Sequence, residues 1–290
     1  MALAGVVADA RALLVAAGGT RPDAIGISAP GPLERESGRL LAPPNLAGWR
    51  DVPVCEVLSQ ALAAPAHLEN DANAAALAEW RFGAGQGASR LVYLTLSTGL
   101  GAGLVLDDRL YRGRRDGAGE LGHVAVEWDG VPCACGLRGC LEAYVGGRAW
   151  ARHLRATLPD DSAAVRDAGG REQLRPEHAV AAARAGDAAA RRELERFVHY
   201  LTRGVALAVM AYAPDVIVLG TIATAAGEAL CFEPLRSELA RHTWPQAREG
   251  LRIVPASLAE RGPALAGLCA ALQARGALAP ARAGSRSAQS

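Results

Sequence analysis

The sequence of 290 residues contains no lysine, so all 31 of its basic residues are arginine. This absence excludes chemistry that depends on a lysine side chain. A Walker-type phosphate loop places a lysine on the β- and γ-phosphates, protein kinases use a lysine on a strand, and pyridoxal enzymes use one to form a Schiff base. The protein therefore does not work by any of these routes.

Aromatic residues make up only 4% of the chain, and the formal net charge is +1. A near-neutral charge disfavours binding to nucleic acid, which needs a basic surface. Long hydrophobic runs are also missing. The longest covers residues 205–213 and is shorter than the about 20 residues that span a bilayer. The first twenty residues lack the basic leader of a signal peptide. We therefore expect a soluble, cytoplasmic protein that binds neither nucleic acid nor membrane.

Strand-like and helix-like patterns alternate along the chain, which is typical of an α/β fold. The length predicts two domains. Residues 83–87 (Gly-Ala-Gly-Gln-Gly) predict a flexible joint, so we place an N-terminal domain at 1–86 and a C-terminal domain at 87–262. We expect a last helix over 263–277 to pack back on the N-terminal domain, and residues 278–290 to form a disordered tail.

Three of the six cysteines, Cys133, Cys135 and Cys140, lie within eight residues. Glycines between them permit tight turns, so the three thiolates can surround one ion, and His123 supplies a fourth ligand. A Cys₃His set is typical of tetrahedral Zn²⁺, and with all four positions filled the site is predicted to be structural. The alternative is three free thiols in a loop.

A polar pentapeptide at residues 69–73 (Glu-Asn-Asp-Ala-Asn) lies between a predicted strand at 66–69 and a predicted helix at 71–82. Ligands of α/β proteins bind at this edge of a sheet. Asn70 can hydrogen-bond a polyol, and Asp71 can accept a proton from a hydroxyl. The alternative is that Asp71 only caps the helix.

Residues 95–103, rich in glycine and hydroxyl groups, join two apolar strands. Hydroxyl and backbone N–H groups in such a turn can bind phosphate without a lysine, although glycine-rich hairpins without a ligand are common. Glu120 and Glu142 lie close in sequence to the predicted metal ligands, which would hold both carboxylates in place to accept hydrogen bonds from vicinal hydroxyls. The alternative for each glutamate is a solvated surface charge.

Together these motifs resemble the ROK (repressor, open reading frame, kinase) family, which includes bacterial glucokinases and N-acetylhexosamine kinases. The resemblance extends from about residue 2 to about residue 275, and the cysteine segment is its most specific part. It rests on residues 29–32, 44–46 with Trp49, 69–73, 95–103, 119–123 and 133–142. It implies the actin-like (ribonuclease-H-like) fold, two α/β domains with ATP, Mg²⁺ and sugar in the cleft, and a homodimer.

The resemblance implies ATP-dependent phosphorylation of a hexose or N-acetylhexosamine, usually at the 6-hydroxyl, with Asp71 as the general base. One ring nitrogen of His123 could face the metal and the other the sugar. The sugar-binding residues implied are Gly31, Asn45, Asn70, Glu120, His123 and Glu142. The implied nucleotide-binding residues are Thr98, Gly99 and Gly101 in a phosphate loop and Gly220 in the adenosine loop.

Two departures from the family pattern keep an alternative open. Family kinases begin with a strand carrying Asp-x-Gly-Gly-Thr, which helps to place Mg²⁺; the sequence has no such motif, so we expect a first domain that is incomplete at its N-terminus. Thr221 and Ile222 follow Gly220 where the adenosine loop is richer in glycine. An active kinase is favoured, and the alternative is a non-catalytic sugar-binding or regulatory protein, or an inactive truncated form.

Overall fold

The computed structural model describes residues 2–278, and within them nine strands form three sheets. The strands are β1 (Ile25–Ala29), β2 (Leu33–Glu34), β3 (Arg39–Leu40), β4 (Ala66–Asn70), β5 (Leu91–Leu96), β6 (Leu100–Leu106), β7 (Arg109–Leu110), β8 (Val216–Thr221) and β9 (Arg252–Pro255). β1 and β4 form a parallel pair, and β2 and β3 an antiparallel hairpin. The large sheet has the order β7-β6-β5-β8-β9, with β8 parallel to β5 and β9 and the other pairs antiparallel.

Twelve α-helices lie within the same residues, and together with the mixed sheet they confirm the predicted α/β class. They are α1 (Ala2–Ala16), α2 (Val54–Leu62), α3 (Asp71–Phe82), α4 (Glu142–Val145), α5 (Gly147–Thr157), α6 (Ala163–Asp167), α7 (Pro176–Arg184), α8 (Ala188–Tyr212), α9 (Ile222–Gly227), α10 (Glu233–Leu239), α11 (Pro245–Arg248) and α12 (Gly262–Ala274). The predicted tail at 278–290 lies, apart from its first residue, outside the described residues.

The large sheet is covered on both faces, which explains why its central strands β5 and β8 consist mostly of apolar residues. Val92 and Leu94 of β5 belong to the core built with α5, α7 and α8. Leu91 and Tyr93 point the opposite way, into a second core that contains residues of α3 and α12. The alternation of side chains along β5 therefore assigns each face of the sheet to a separate set of helices.

The helix α12 packs against β1, β4 and α3, so the end of the described chain returns to the small parallel sheet. The helix α3 contacts β6 and β5 of the large sheet as well as α12. These contacts place the first turn of α3 at the junction of the two sheets. No helix among residues 2–278 combines the length and the hydrophobicity that crossing a bilayer requires.

The glycine-rich segment 83–87, which connects α3 to β5, is held by one buried carboxylate. Glu79 is only 3% exposed. Its Oε2 accepts a hydrogen bond from the backbone N–H of Ala84 at 2.8 Å, and its Oε1 accepts from Ser257 and Leu258 at 2.9 and 3.1 Å. We expected a flexible joint here, but the structure ties it to the connection between β9 and α12, because Glu79 supplies the acceptors that the loop backbone needs.

Candidate active site and metal centre

A cleft of about 830 Å³ is lined by the end of β4, the turn between β5 and β6, residues 115–123 and the α4–α5 region. It brings together most of the site residues expected from the sequence, although their motifs are far apart along the chain. Those that line it are Gly31, Asn45, Asn70, Asp71, Thr98, Gly99, Gly101, Glu120, His123, Cys133, Cys135 and Glu142. Gly220 and Cys140 are not among the lining residues.

The start of α3 places Asn70 and Asp71 at the cleft in different roles. Asn70 is the N-cap, and its Oδ1 accepts hydrogen bonds from the backbone N–H groups of Ala72 and Asn73 at 3.0 and 3.2 Å. Asp71 is the first helical residue, with its Oδ1 2.8 Å from the N of Ala72. The N-cap is therefore Asn70 and not Asp71, and the Asp71 carboxylate lines the cleft.

Burial raises the pKa of Asp71 above its usual range, and hydrogen bonds from the backbone N–H groups of Ala72 and Asp71 itself only partly offset this effect. A desolvated carboxylate holds a proton more firmly than a solvated one. The environment of Asp71 is thus suited to a group that accepts a proton from a ligand.

Two side-chain amides at the cleft are oriented by their neighbours. The guanidinium of Arg148 donates from Nη2 to Oδ1 of Asn45 at 3.3 Å. Because a guanidinium can only donate, it fixes the amide with its oxygen toward Arg148 and leaves the NH₂ group to donate elsewhere. The cap at Asn70 fixes that amide in the same sense. Both side chains can therefore donate to a ligand in the cleft.

Carboxylates supply the complementary acceptors. Asp71, Glu120 and Glu142 all line the cleft. A sugar hydroxyl both donates and accepts a hydrogen bond, so a set of fixed N–H donors and carboxylate acceptors suits a neutral polyol. The cleft has the chemistry to bind several hydroxyl groups at once.

The β5–β6 turn, residues 97–99, forms another wall of the cleft and contains Thr98 and Gly99. Gly101 follows on β6, close against the first turn of α3: a Cβ at this position would lie 2.9 Å from the Cβ of Ala72. The absence of that Cβ lets α3 approach the strand. Asp71 and the predicted phosphate loop are thereby brought to the same cleft.

Sequence reasoning gave no role to Glu69 and missed its partner Arg112. Glu69 is 4% exposed, and its Oε2 accepts from Nη2 and Nε of Arg112 at 2.6 and 3.0 Å. Its Oε1 accepts from the side-chain amide of Asn73 at 3.1 Å. The pair connects the first turn of α3 to the segment that leads to Glu120. Glu69 belongs to a recognised motif, but Arg112, 43 residues later, carries no local signal.

The side chains of His123, Cys133, Cys135 and Cys140 form a compact cluster, with all four ligand atoms within 4.8 Å of one another. The sulfurs of Cys135 and Cys140 lie 3.7 Å apart, and Nδ1 of His123 lies 3.9 Å from the sulfur of Cys133. A tetrahedral ion with Zn–S bonds of about 2.3 Å requires sulfurs about 3.8 Å apart. The geometry therefore fits one tetrahedral metal ion.

The orientation of His123 has a consequence for the cleft. Its Nδ1 faces the cysteines, and its Nε2 lies 4.0 Å from Oε2 of Glu120. An imidazole that binds metal through one nitrogen carries its proton on the other. With an ion bound, Nε2–H would be a donor directed toward Glu120.

The thiols of the cluster differ in their environments. Burial raises the pKa of Cys133 and raises that of Cys140 to about 12. The backbone N–H of Leu137 lowers the pKa of Cys135. Two of the three thiols therefore hold their protons firmly unless a cation replaces them.

Side chains of α8 and α4 support the cysteine segment from outside the cluster, which the sequence did not indicate. Arg203 donates to the backbone oxygen of Val126 at 3.0 Å and to Oε2 of Glu127 at 2.6 Å. The hydroxyl of Tyr144 accepts from the backbone N–H of Val131 at 3.0 Å. These bonds fix the loop between His123 and the cysteines.

Gly220 lies within β8, paired with Thr95 of β5, where a Cβ would be 3.1 Å from the hydroxyl of Tyr93. Thr221 follows with a φ of 52°, in a region that branched residues rarely adopt. The involvement of this segment in adenosine binding stays a prediction.

The sequence matches the model of the ROK family over residues 6–274. It is 38% identical to the glucokinase of Thermotoga maritima over 254 residues, which are 87% of this chain and 80% of that protein. It is 32% identical to the xylose repressor of Caldicellulosiruptor bescii over 83% of this chain, but it spans only 60% of the repressor.

Solved structures of ROK proteins are similar to this chain as well. The ROK hexokinase from Thermus thermophilus superposes with a TM-score of 0.80 at 35% identity, covering 94% of this chain and 86% of that one. A ROK glucokinase from Streptomyces griseus, in complex with glucose and AMPPNP, gives a TM-score of 0.77 at 33% identity and covers 94% of this chain and 88% of that one. The chain thus belongs to the ROK family, and its α/β structure is the actin-like ATPase fold of the ROK kinases.

Proposed function

We propose that the protein phosphorylates a hexose or an N-acetylhexosamine, with ATP and Mg²⁺ as the phosphoryl donor and Asp71 as the general base on the sugar hydroxyl, usually the 6-hydroxyl. The single observation that carries the proposal is the position of Asp71: its carboxylate is desolvated and shares one cleft with oriented amide donors and with the β5–β6 turn. The similarity to glucokinases supports the same reaction.

The chemistry required of the protein is modest, because phosphoryl transfer depends mainly on positioning and on electrostatic stabilisation. Asn45, Asn70, Glu120, Glu142 and His123 would bind and orient the sugar. Asp71 would accept the proton of the attacking hydroxyl, a contribution of typically 10²–10⁴-fold in rate. ATP with Mg²⁺ supplies the phosphoryl group, and the hydroxyl and backbone groups of the β5–β6 turn would hold its phosphates.

The metal in the cysteine cluster is, on this proposal, a structural Zn²⁺ bound by His123, Cys133, Cys135 and Cys140. The donor set and the spacing of its sulfurs support zinc, since thiolates and imidazole are its usual ligands. All four coordination positions would be filled by the protein, which leaves none for a reacting water. The ion would fix Glu120 and Glu142 rather than take part in chemistry.

A second candidate is a regulatory protein that binds sugar without phosphorylating it. The similarity to xylose repressors favours it, as do the branched residues that follow Gly220. This candidate predicts hexose binding in the same cleft with no binding of nucleotide.

A coupled assay with ATP, Mg²⁺ and a panel of D-glucose, N-acetylglucosamine and N-acetylmannosamine tests the proposal. We expect turnover with at least one sugar and a loss of at least about 100-fold in Asp71→Asn. Calorimetry distinguishes the candidates: binding of both hexose and nucleotide supports the kinase, and binding of hexose alone supports the regulator. Turnover in Asp71→Asn equal to that of the wild type would contradict the assigned base.

The same proposal includes a boundary between two domains at residues 86 and 87, and the assembly of the protein as a homodimer. The return of α12 to β1 and β4 supports the first. Sedimentation of the purified protein tests the second, with a mass of twice 30.0 kDa expected.

A further inference from the structure

The β5–β6 turn is supported from behind by the α4–α5 region through three hydrogen bonds. The backbone N–H of Leu100 donates to Oε2 of Glu142 at 2.7 Å. The N–H of Gly147 donates to the carbonyl of Ser97 at 2.8 Å, and the N–H of Arg148 donates to the carbonyl of Thr98 at 2.9 Å. One short stretch of chain therefore fixes both sides of the turn.

The turn and the α4–α5 region are also in close steric contact. A Cβ at Gly99 would lie 2.5 Å from Oε2 of Glu142, and a Cβ at Gly147 would overlap the carbonyl oxygen of Ser97. Close packing of this kind transmits a shift of one part directly to the other. The Glu142 carboxylate is therefore one of the groups that set the position of the turn.

Glu142 itself is held on a rigid base. It follows Cys140 of the metal cluster by two residues, and the intervening Leu141 is only 1% exposed and packs against Gly204 of α8. It also lines the cleft where the sugar is proposed to bind. A carboxylate has two oxygens, so one can bind the turn while the other accepts from a sugar hydroxyl.

We infer that Glu142, beyond its expected contact with sugar, is a positioning residue for the phosphate-binding turn, and that it couples the sugar subsite to the phosphate subsite. The inference rests on the proposed kinase function. Its physical basis is the charge-assisted bond from Leu100 to Oε2, which holds the turn in place before any ligand arrives. A sugar that fixes the Glu142 carboxylate increases the affinity of the protein for nucleotide. By linkage, bound nucleotide increases the affinity for sugar by the same factor.

The decisive measurement is the affinity for Mg²⁺–AMPPNP in the absence of sugar. A residue that contacts only sugar has no effect on it. We expect Glu142→Ala to weaken nucleotide binding by about tenfold or more, because a hydrogen bond from a buried backbone donor to a charged acceptor is lost. Glu142→Gln keeps an oxygen for Leu100 and should bind nucleotide nearly as well as the wild type.

Glu120→Ala is the matched control. Glu120 is a carboxylate of the same cleft that is 71% exposed and belongs to a different segment from the turn. It should weaken the binding of D-glucose and leave nucleotide binding unchanged. Unaltered nucleotide affinity in Glu142→Ala, or an equal loss in Glu142→Gln, overturns the inference.

If Glu142→Ala fails to fold, Glu142→Asp takes its place, since the shorter side chain withdraws the carboxylate from the backbone N–H of Leu100. Weaker nucleotide binding supports the inference, and unchanged binding overturns it. If the wild type binds no AMPPNP, the kinase proposal fails, and hydrogen exchange at the Leu100 amide decides the positioning role alone. Exchange at least about tenfold faster in Glu142→Ala supports that role, and an unchanged rate overturns it.

Discussion

Two glycine-containing segments of the protein each donate a backbone hydrogen bond to one carboxylate. Glu79 holds residues 83–87, and Glu142 holds the β5–β6 turn. In both, the glycine makes room for the acid: a Cβ at Gly83 would overlap Oε2 of Glu79, and a Cβ at Gly99 would lie 2.5 Å from Oε2 of Glu142. At both segments, the absence of a glycine side chain allows a carboxylate to reach the backbone.

The surroundings of the two acids differ. Glu79 is buried, and both of its oxygens accept from protein donors at the junction of two connecting segments. Glu142 lines a cleft and uses Oε2 for the turn. An acid enclosed by protein donors can only stabilise the fold, whereas an acid at a cleft can also bind a ligand. A glycine-rich pattern therefore does not indicate function until its partner acid is known.

Replacing the two acids gives the largest contrast. We expect Glu79→Ala to lower the free energy of unfolding by about 3 kcal/mol or more, because three backbone N–H groups that face the buried Glu79 carboxylate lose their acceptor. Glu142→Ala should cost about 1 kcal/mol, since Leu100 alone loses its acceptor. Urea unfolding measures both. Equal costs for the two variants would remove the distinction between a structural acid and a functional one.

Replacing Gly83 or Gly99 by alanine tests the same contrast between the two acids, because each new Cβ meets the carboxylate. Gly83→Ala should cost about 2 kcal/mol, because its Cβ meets the buried Glu79, which cannot move aside. Gly99→Ala should cost less, since the Glu142 side chain can turn into the cleft. Gly5→Ala, in α1 with open space around its Cβ, is the control and should be neutral or slightly stabilising. A Gly83→Ala protein as stable as the control would show that Glu79 adapts.

Removal of the proposed zinc ion should loosen the β5–β6 turn and leave residues 83–87 unchanged. Because Cys140 lies two residues before Glu142, loss of the proposed ion should loosen the β5–β6 turn and increase hydrogen exchange at Leu100 by about tenfold. Ala84 and Ser257, which are bonded to Glu79, should exchange as before. Exchange monitored with a chelator and after return of Zn²⁺ provides the measurement. Equal loosening at both segments would mean that the metal stabilises the whole fold rather than the turn.

The sequence predicted the parts of this picture that depend on local pattern. The helix at 71–82 agrees with α3 because a polar cap precedes a run of alanines. The mainly apolar strands predicted on either side of residues 95–103 agree with β5 and β6, which extend into that segment to Leu96 and from Leu100. The hairpin of β2 and β3 was not predicted, since strands of two residues are too short to show a period.

Partners distant in sequence could not be predicted. Arg112 meets Glu69, and Ser257 meets Glu79, across 43 and 178 residues. Neither contact can be recognised from the spacing of residues close together in the sequence. The same limit explains why residues 83–87 read as a flexible joint: glycines are visible in a sequence, but the carboxylate that restrains them is recognised only once the chain has folded.

The smallest effect is expected at Asp71, where removing charge should stabilise the fold. Burial raises the pKa of Asp71, so the folded state holds its proton more firmly than the unfolded chain does. Stability from this group is therefore present at low pH and falls as pH rises from the usual carboxyl range through the raised pKa of the folded state. Asp71→Asn carries no such penalty, so its advantage over the wild type should grow across that interval and stay constant above it.

Urea unfolding from about pH 3.5 to about pH 8 measures the difference between the two proteins. Glu79→Gln in the same series should be less stable than the wild type at neutral pH, because an amide places an N–H group where Glu79 Oε1 or Oε2 accepts hydrogen bonds. Opposite signs for two acids of one helix would separate a carboxylate kept for chemistry from one kept for structure. A less stable Asp71→Asn protein at neutral pH would mean that Asp71, like Glu79, serves mainly the fold.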